Sequence, residues 1–204
     1  MKERRLVITI DCDDVLVPTA YKVLDHYKDE FGHEVNPAHF YESTAEDWGV
    51  HDLRHVNRRI EQYFRSKKFH HEGKIPYPEA TIAIPALARH HELHLVTGRG
   101  KFMERSTAEL IDEYFPNCFS SLVHTNYFKK RFRQTKGQVC KELSADIHID
   151  DHTEHCQNVL DEGIENAILF GEYPWNRTVK LRQGLARCVD WVSTVEEVSQ
   201  IAAR

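Results

Sequence analysis

The 204-residue sequence has no Cys-x-x-Cys pair, no apolar run of membrane-spanning length, no internal repeat and no low-complexity segment. Its five cysteines (Cys12, Cys118, Cys140, Cys156 and Cys188) are an odd set. That argues against a disulfide framework or a cysteine zinc site and for a reducing compartment. Charge of one sign is also scarce: the formal net charge is -5, with 29% charged residues. A generally basic nucleic-acid binder is therefore not expected, and runs such as Lys129-Lys130-Arg131 read as solvated surface. The amino terminus carries Lys2, Arg4 and Arg5, but the apolar stretch that follows, Leu6 to Ile10, is too short for a signal peptide and runs into acids. No stretch is long enough to span a bilayer, so a cytoplasmic protein without a membrane partner is expected. Fourteen histidines invite a metal reading, with groups at His90, His91 and His94 and at His148, His152 and His155. The glutamate that accompanies helical zinc histidines is missing, so these read as surface or internally satisfied side chains.

What is present is a regular alternation. Leu6 to Ile10 is continuous and β-branched, as expected of a strand buried on both faces of a parallel sheet. Similar strands are expected at Leu93–Val96, Leu122–His124, Asp146–Ile149 and Asn166–Phe170. Helices are expected at Ala80–Arg89, Glu104–Tyr114, Lys136–Leu143, Glu154–Leu160 and Val195–Ala202. Strands alternating with helices imply a doubly wound, Rossmann-like parallel sheet, because parallel strands need crossover connections. Between Thr19 and about Phe69 the pattern changes to aromatic and apolar residues at helical spacing among many charges. That stretch reads as a helical insertion, with Pro76-Tyr77-Pro78 marking the return to the alternating pattern. The division expected is an α/β core at 1–17 and 76–204 with a helical insertion at 18–75.

Polar groups recur where the strands end: Asp11 and Asp13 after the first, Thr97 after the second, and Asp150 with Asp151 after the fourth. Ligands of open α/β sheets bind at that edge. Clustered carboxylates repel unless something positive sits among them, and a hard divalent cation with oxygen ligands answers that need. Lys136, opening a helix just before the last acidic strand, offers a second positive charge; Lys129 and Lys130 compete for that role. Cys12, between two of the acids, reads as a small packing residue.

The succession Asp-x-Asp, Thr-Gly-Arg after an apolar run, Lys, and apolar-Asp-Asp resembles the haloacid dehalogenase-like superfamily over Leu6 to Asp151. The resemblance implies a phosphatase in which Asp11 is the nucleophile and forms an aspartyl-phosphate. It makes Asp13 the general acid and then the general base. Thr97, Gly98 and Lys136 would hold the phosphoryl group, and Lys136 would also offset the charge of the nucleophile. Magnesium would be held by Asp11, Asp13 through its backbone carbonyl, and Asp150, with Asp151 a further ligand or an orienting residue. The acid at Asp13 points to phosphoesters rather than carbon–halogen bonds. The insertion resembles the cap domain of members whose cap follows the first strand. Two features resemble the 5'(3')-deoxyribonucleotidase-like branch: the Pro76-Tyr77-Pro78-Glu79-Ala80 re-entry, and the tail from Phe170 to Arg177 followed by Val189-Asp190-Trp191. Asp14 departs from that branch, which usually carries Gly there. The substrate expected is a small phosphorylated metabolite, with a nucleoside monophosphate as the leading case and a sugar phosphate as the alternative. A phosphate-binding regulatory relative without activity is a further alternative, no nucleic-acid polymer is expected as partner, and the protein would be a monomer or homodimer. Phe40, Tyr41, Trp48, Tyr63 and Phe64 are expected to be core residues of the insertion, with one or two lining a substrate pocket.

Overall fold

A computed structural model describes residues 4–41, 43–125 and 134–204. Lys2 and the run Lys129-Lys130-Arg131 lie outside the described residues. Six strands form one sheet: β1 (Val7–Ile10), β2 (Glu92–Thr97), β3 (Ser121–His124), β4 (Ile147–Asp150), β5 (Asn166–Phe170) and β6 (Leu185–Cys188). Their spatial order is β3-β2-β1-β4-β5-β6, and every neighbouring pair is parallel. The crossovers run through α3 (Ala80–Ala88), α4 (Glu104–Tyr114), α5 (Lys136–Glu142) and α6 (Thr153–Asp161), and α7 (Trp191–Ala202) closes the chain. The α/β class and the parallel sheet are those the sequence predicts. β1, with Ile8 and Ile10 fully buried, lies at the centre of the main core together with Leu93, Leu95, Ile147 and Ile149. Each such side chain contributes roughly 1.5–3 kcal/mol on burial.

Two elements differ from the sequence expectation. β6 was not expected, because Leu185-Ala186-Arg187-Cys188 is short and mixed; it pairs only with β5, at the sheet edge. The last helix begins at Trp191 rather than Val195, since Asp190 caps it, its side chain accepting from Ser193 N–H in a capping box.

The insertion contains α1 (Thr19–Phe31) and α2 (Leu53–Phe64), joined by short turns. It has its own cluster of buried residues: Val23, Leu24, Tyr27, Val35, Trp48, Val56, Tyr63 and Phe69, with Met103 reaching in from beyond β2. Its two ends are stitched together, for Tyr77 N–H donates to Leu16 O at 2.8 Å. Lys22 Nζ donates to Glu72 O, Gly73 O and Ile75 O at 3.0, 3.3 and 2.6 Å. Among the described residues no helix is long and apolar enough to cross a membrane.

The strand order reverses direction between β1 and β4: from β1 the chain builds outward to β2 and β3, then returns to β4 on the other side. A crevice opens at such a reversal, above the carboxyl ends of the two strands. Asp11 leaves β1 there, and Asp150 and Asp151 leave β4.

Candidate active site

The chain after β1 folds back at once. Leu16 and Val17 N–H both donate to Cys12 O, and Asp14 N–H donates to Val17 O at 2.7 Å. Asp14 has φ 56°, the left-handed region that favours glycine and that Asp tolerates better than most residues. The turn thus accommodates a residue other than Gly, and the side chain makes contacts that Gly could not. Its carboxylate accepts from Ala20 N–H at 2.9 Å, in the first turn of α1, and from Tyr41 Oη at 3.3 Å, in the insertion. The tail after β5 supports the turn from behind: Tyr173 Oη donates to Asp14 O at 2.6 Å and Trp191 Nε1 to Val15 O at 3.2 Å.

Lys136 joins the two sides of the crevice. Its Nζ lies 2.9 Å from Asp11 Oδ1 and 2.6 Å from Asp150 Oδ2, with all three side chains buried. It is placed by the start of α5, where Thr135 and Gln138 form a capping box. The next residue, Gly137, lets α5 approach α6, since a Cβ there would sit 2.8 Å from Asn158 O. Burial pushes the Asp11 carboxyl up to about 6, against the pull of Lys136. Asp11 Oδ1 is buried and has no aligned hydrogen bond, although Lys136 is close.

Asp13 faces the other way. Arg99, buried just past the end of β2, grips it with Nε at 3.0 Å from Oδ2 and Nη2 at 2.7 Å from Oδ1. Thr19 Oγ1 donates to Asp13 Oδ1 at 2.5 Å, and Arg99 Nη1 donates to Thr107 Oγ1 at 3.2 Å. Burial alone would raise the Asp13 carboxyl, but the Arg99 charge and hydrogen bonds outweigh it and hold the group below its usual range. Thr97 ends β2 beside β1 and is buried; its Oγ1 accepts from Arg99 N–H at 3.2 Å, and Gly98 follows it.

Asp150 accepts from Lys136, from His148 Nε2 at 2.9 Å and from His152 N–H at 2.9 Å. Asp151 accepts from Trp175 Nε1 at 2.8 Å, and its backbone O from Asn176 Nδ2 at 2.9 Å. Trp175 stacks flat on Tyr173 at 4.7 Å, with Tyr41 edge-on at 5.3 Å. Burial, and then the neighbouring Asp14 charge, push the Asp151 carboxyl well above its usual range. Asp14 is likewise raised by burial.

Asp11, Asp150 and Asp151 each offer an oxygen within 4.8 Å of the others, and all three are buried. This donor set, with an unaligned buried oxygen and two carboxyls raised by burial, fits a hard divalent cation. The Asp13 carboxylate is spent on Arg99 and Thr19, so only its backbone carbonyl remains for a cation.

Of the residues singled out in the sequence, Asp11, Lys136, Asp150 and Asp151 come together at the crevice, and Asp13 and Thr97 flank it on the β2 side. Arg99 belongs to the Thr-Gly-Arg run, yet nothing in the sequence gave it a role. An arginine two residues past a strand that ends at an acidic edge is the signal it left. Of the two readings of the histidines, surface or internally satisfied, His148 takes the second: it is fully buried and bonded to Asp150. Tyr173, Trp175 and Asn176, noted only as part of a tail signature, hold the loops that carry Asp14 and Asp151. Of the five insertion aromatics, Trp48 and Tyr63 are core, Phe64 packs on Phe69, and Phe40 and Tyr41 turn toward Trp175.

No protein-family model matches this chain, and no curated protein matches it. Solved structures do. A haloacid dehalogenase-like family hydrolase from Streptococcus pneumoniae superposes with a TM-score of 0.67 at 11% identity, covering 95% of this chain and 98% of that one. A Bacillus subtilis protein described as a HAD-hydrolase, YfnB, bound to magnesium, gives 0.63 at 11% identity over 99% and 100%. A Thermotoga maritima protein described as a beta-phosphoglucomutase gives 0.57 at 14% identity over 97% and 98%. The crevice between β1 and β4, with its acids and lysine, thus stands on the fold of the haloacid dehalogenase-like hydrolases.

Proposed function

We propose that the protein is a magnesium-dependent phosphomonoesterase that works through an aspartyl-phosphate on Asp11. The observation that carries this reading is Lys136 held between Asp11 and Asp150 at the switch point of the sheet. Asp11 Oδ attacks phosphorus, the bond from phosphorus to the leaving oxygen breaks, and Asp13 supplies the proton that the leaving alkoxide takes. Water then attacks the aspartyl-phosphate, Asp13 takes its proton, the bond from phosphorus to Asp11 breaks, and inorganic phosphate leaves. The Arg99 pair keeps Asp13 ionised, the form the second step starts from, but weakens it as a base. Both proton transfers therefore require the carboxyl to loosen from Arg99, and its work as acid requires it first to gain a proton. Lys136 offsets the negative charge of Asp11 and, with the Thr97 hydroxyl and the Gly98 backbone, receives the phosphoryl oxygens. Asp11, the Asp13 carbonyl and Asp150 would hold magnesium, with Asp151 a further ligand; the ion supplies charge neutralisation at the transferring phosphoryl group.

The substrate we propose is a small phosphorylated metabolite, first among them a nucleoside monophosphate. Phe40 and Tyr41 support this, since they bring aromatic side chains from the insertion to Trp175 beside Asp151. The protein should hydrolyse p-nitrophenyl phosphate in magnesium and stop with EDTA. Asp11→Asn should lower turnover by at least about 1000-fold with the fold intact; a wild-type rate in that variant rejects the nucleophile. A screen over nucleotides and sugar phosphates tests the substrate, and a preference for sugar phosphates rejects the nucleotide.

A further inference from the structure

Beneath the acidic edge lies a second, deeper set of polar side chains for which the reading above has no use. Thr9 on β1 and Asp11 just past its end are two residues apart and share a face; on β4, His148 and Asp150 do the same. The register places Thr9 opposite His148. On α5, Lys136 and Cys140 are one turn apart and cover the two strands from the same side. The upper set is Asp11, Lys136 and Asp150, and the lower set is Thr9, Cys140 and His148.

The lower set is bonded within itself. Thr9 Oγ1 lies 2.9 Å from His148 Nδ1 and 3.2 Å from Cys140 Sγ, and Cys140 Sγ lies 3.6 Å from His148 Nδ1. All three residues are fully buried. Polar groups at such depth are costly unless bonded, and an apolar triple would fill the same space without that cost. Two contacts lead out of the set: Thr9 Oγ1 donates to Ile147 O at 3.2 Å, and His148 Nε2 reaches Asp150 Oδ2 at 2.9 Å.

The second contact decides how Asp150 is presented. An ionised carboxylate only accepts, so Nε2 carries the hydrogen and the ring is held at both nitrogens. The two lone pairs of Asp150 Oδ2 take Lys136 and His148, and one lone pair of Oδ1 takes His152 N–H. One lone pair, on Oδ1, remains for a cation. Without His148 the carboxylate would be held by Lys136 and the His152 N–H alone, a looser hold on its rotation about the Cβ–Cγ bond. We infer that His148 is a positioning residue that orients Asp150 for the divalent cation, anchored from below by Thr9 and Cys140. Partners of ligating carboxylates behave in this way, and their loss weakens metal binding about 10–100-fold.

This inference rests on the cation reading above, and the experiment separates the two. Mn2+, which electron paramagnetic resonance detects, stands in for magnesium and is titrated into the wild type and into His148→Leu, His148→Asn and His148→Gln. Gln can place a donor near the position of Nε2, Leu has none, and Asn places its donor nearer Nδ1. The Leu and Asn variants should bind Mn2+ about 10–100-fold more weakly than the wild type, and Gln within a few-fold of it. If His148→Leu fails to fold, the Gln and Asn pair decides. Equal affinity for Gln, Asn and the wild type overturns the role of His148 while the cation site stands. A wild type that binds no Mn2+ overturns the cation site, and this inference with it.

Discussion

The two flanks of the crevice handle the same problem, a buried carboxylate, in opposite ways. On the β2 side Asp13 is matched by a full guanidinium and a hydroxyl, and its carboxyl is held low. Asp14, in the turn after β1, and Asp151, just past β4, have among the described residues only neutral donors, a backbone N–H, a tyrosine and an indole, and burial drives both carboxyls up. Hydrogen bonds from neutral groups do not cancel a buried charge, whereas an ion pair with good geometry can. The first flank is complete within the protein, and the second is where the cation proposed above would sit. Lys136 stands on the boundary between them, neutralising Asp11 only in part.

The largest expected effect of breaking this contrast is at Arg99. Arg99→Leu should cost about 3 kcal/mol in denaturant unfolding, because it leaves Asp13 charged and largely buried. Adding Asp13→Asn should recover most of that loss, and a single-variant cost under about 1 kcal/mol would show that the flank is not held by the pair.

Next in size is the pH dependence of Asp11. Its carboxyl is raised to about 6, so in the folded state it holds its proton to a higher pH than in the unfolded chain, where carboxyls titrate near 4. A group raised in this way contributes stability that is present below about pH 4 and lost as pH rises through about 6. Without divalent cations, the stability of the wild type relative to Asp11→Asn should therefore fall over that interval, by on the order of 2 kcal/mol. Magnesium at neutral pH should restore it. Thermal unfolding of both proteins from pH 4 to 8 gives the difference, and a flat difference means that Asp11 is already compensated.

The smallest expected effect is at Trp175. Trp175→Phe removes one neutral donor from Asp151 and should cost about 1.5 kcal/mol in the metal-free protein, with a smaller loss in magnesium. A cost that magnesium leaves unchanged would mean that Trp175 matters through its stack on Tyr173 rather than through Asp151.

The strands that carry the site were legible because burial on both faces favours apolar, β-branched residues, as Leu6 to Ile10 shows directly and the isoleucines of Asp146-Ile147-His148-Ile149 show in part. Acids at the ends of such runs stand out for the same reason. β6 escaped notice because an edge strand with only one neighbour tolerates a mixed sequence, as Leu185-Ala186-Arg187-Cys188 does. His148 was noted, but its partners were not legible, because one histidine among fourteen carries no mark of depth; only the strand register brings it against Thr9 and Asp150. Arg99 was visible as a residue but not as the partner of Asp13, eighty-six positions away.

The sequence by itself determined the alternation of strands and helices, the parallel sheet this implies and the residues that end its strands, since periodicity and burial are local properties of the chain. Only the tertiary structure decided which acids are neutralised and which are not. That depends on which cation reaches which carboxylate, and Arg99, Lys136 and His148 are delivered by strands and helices whose spatial order is set by packing.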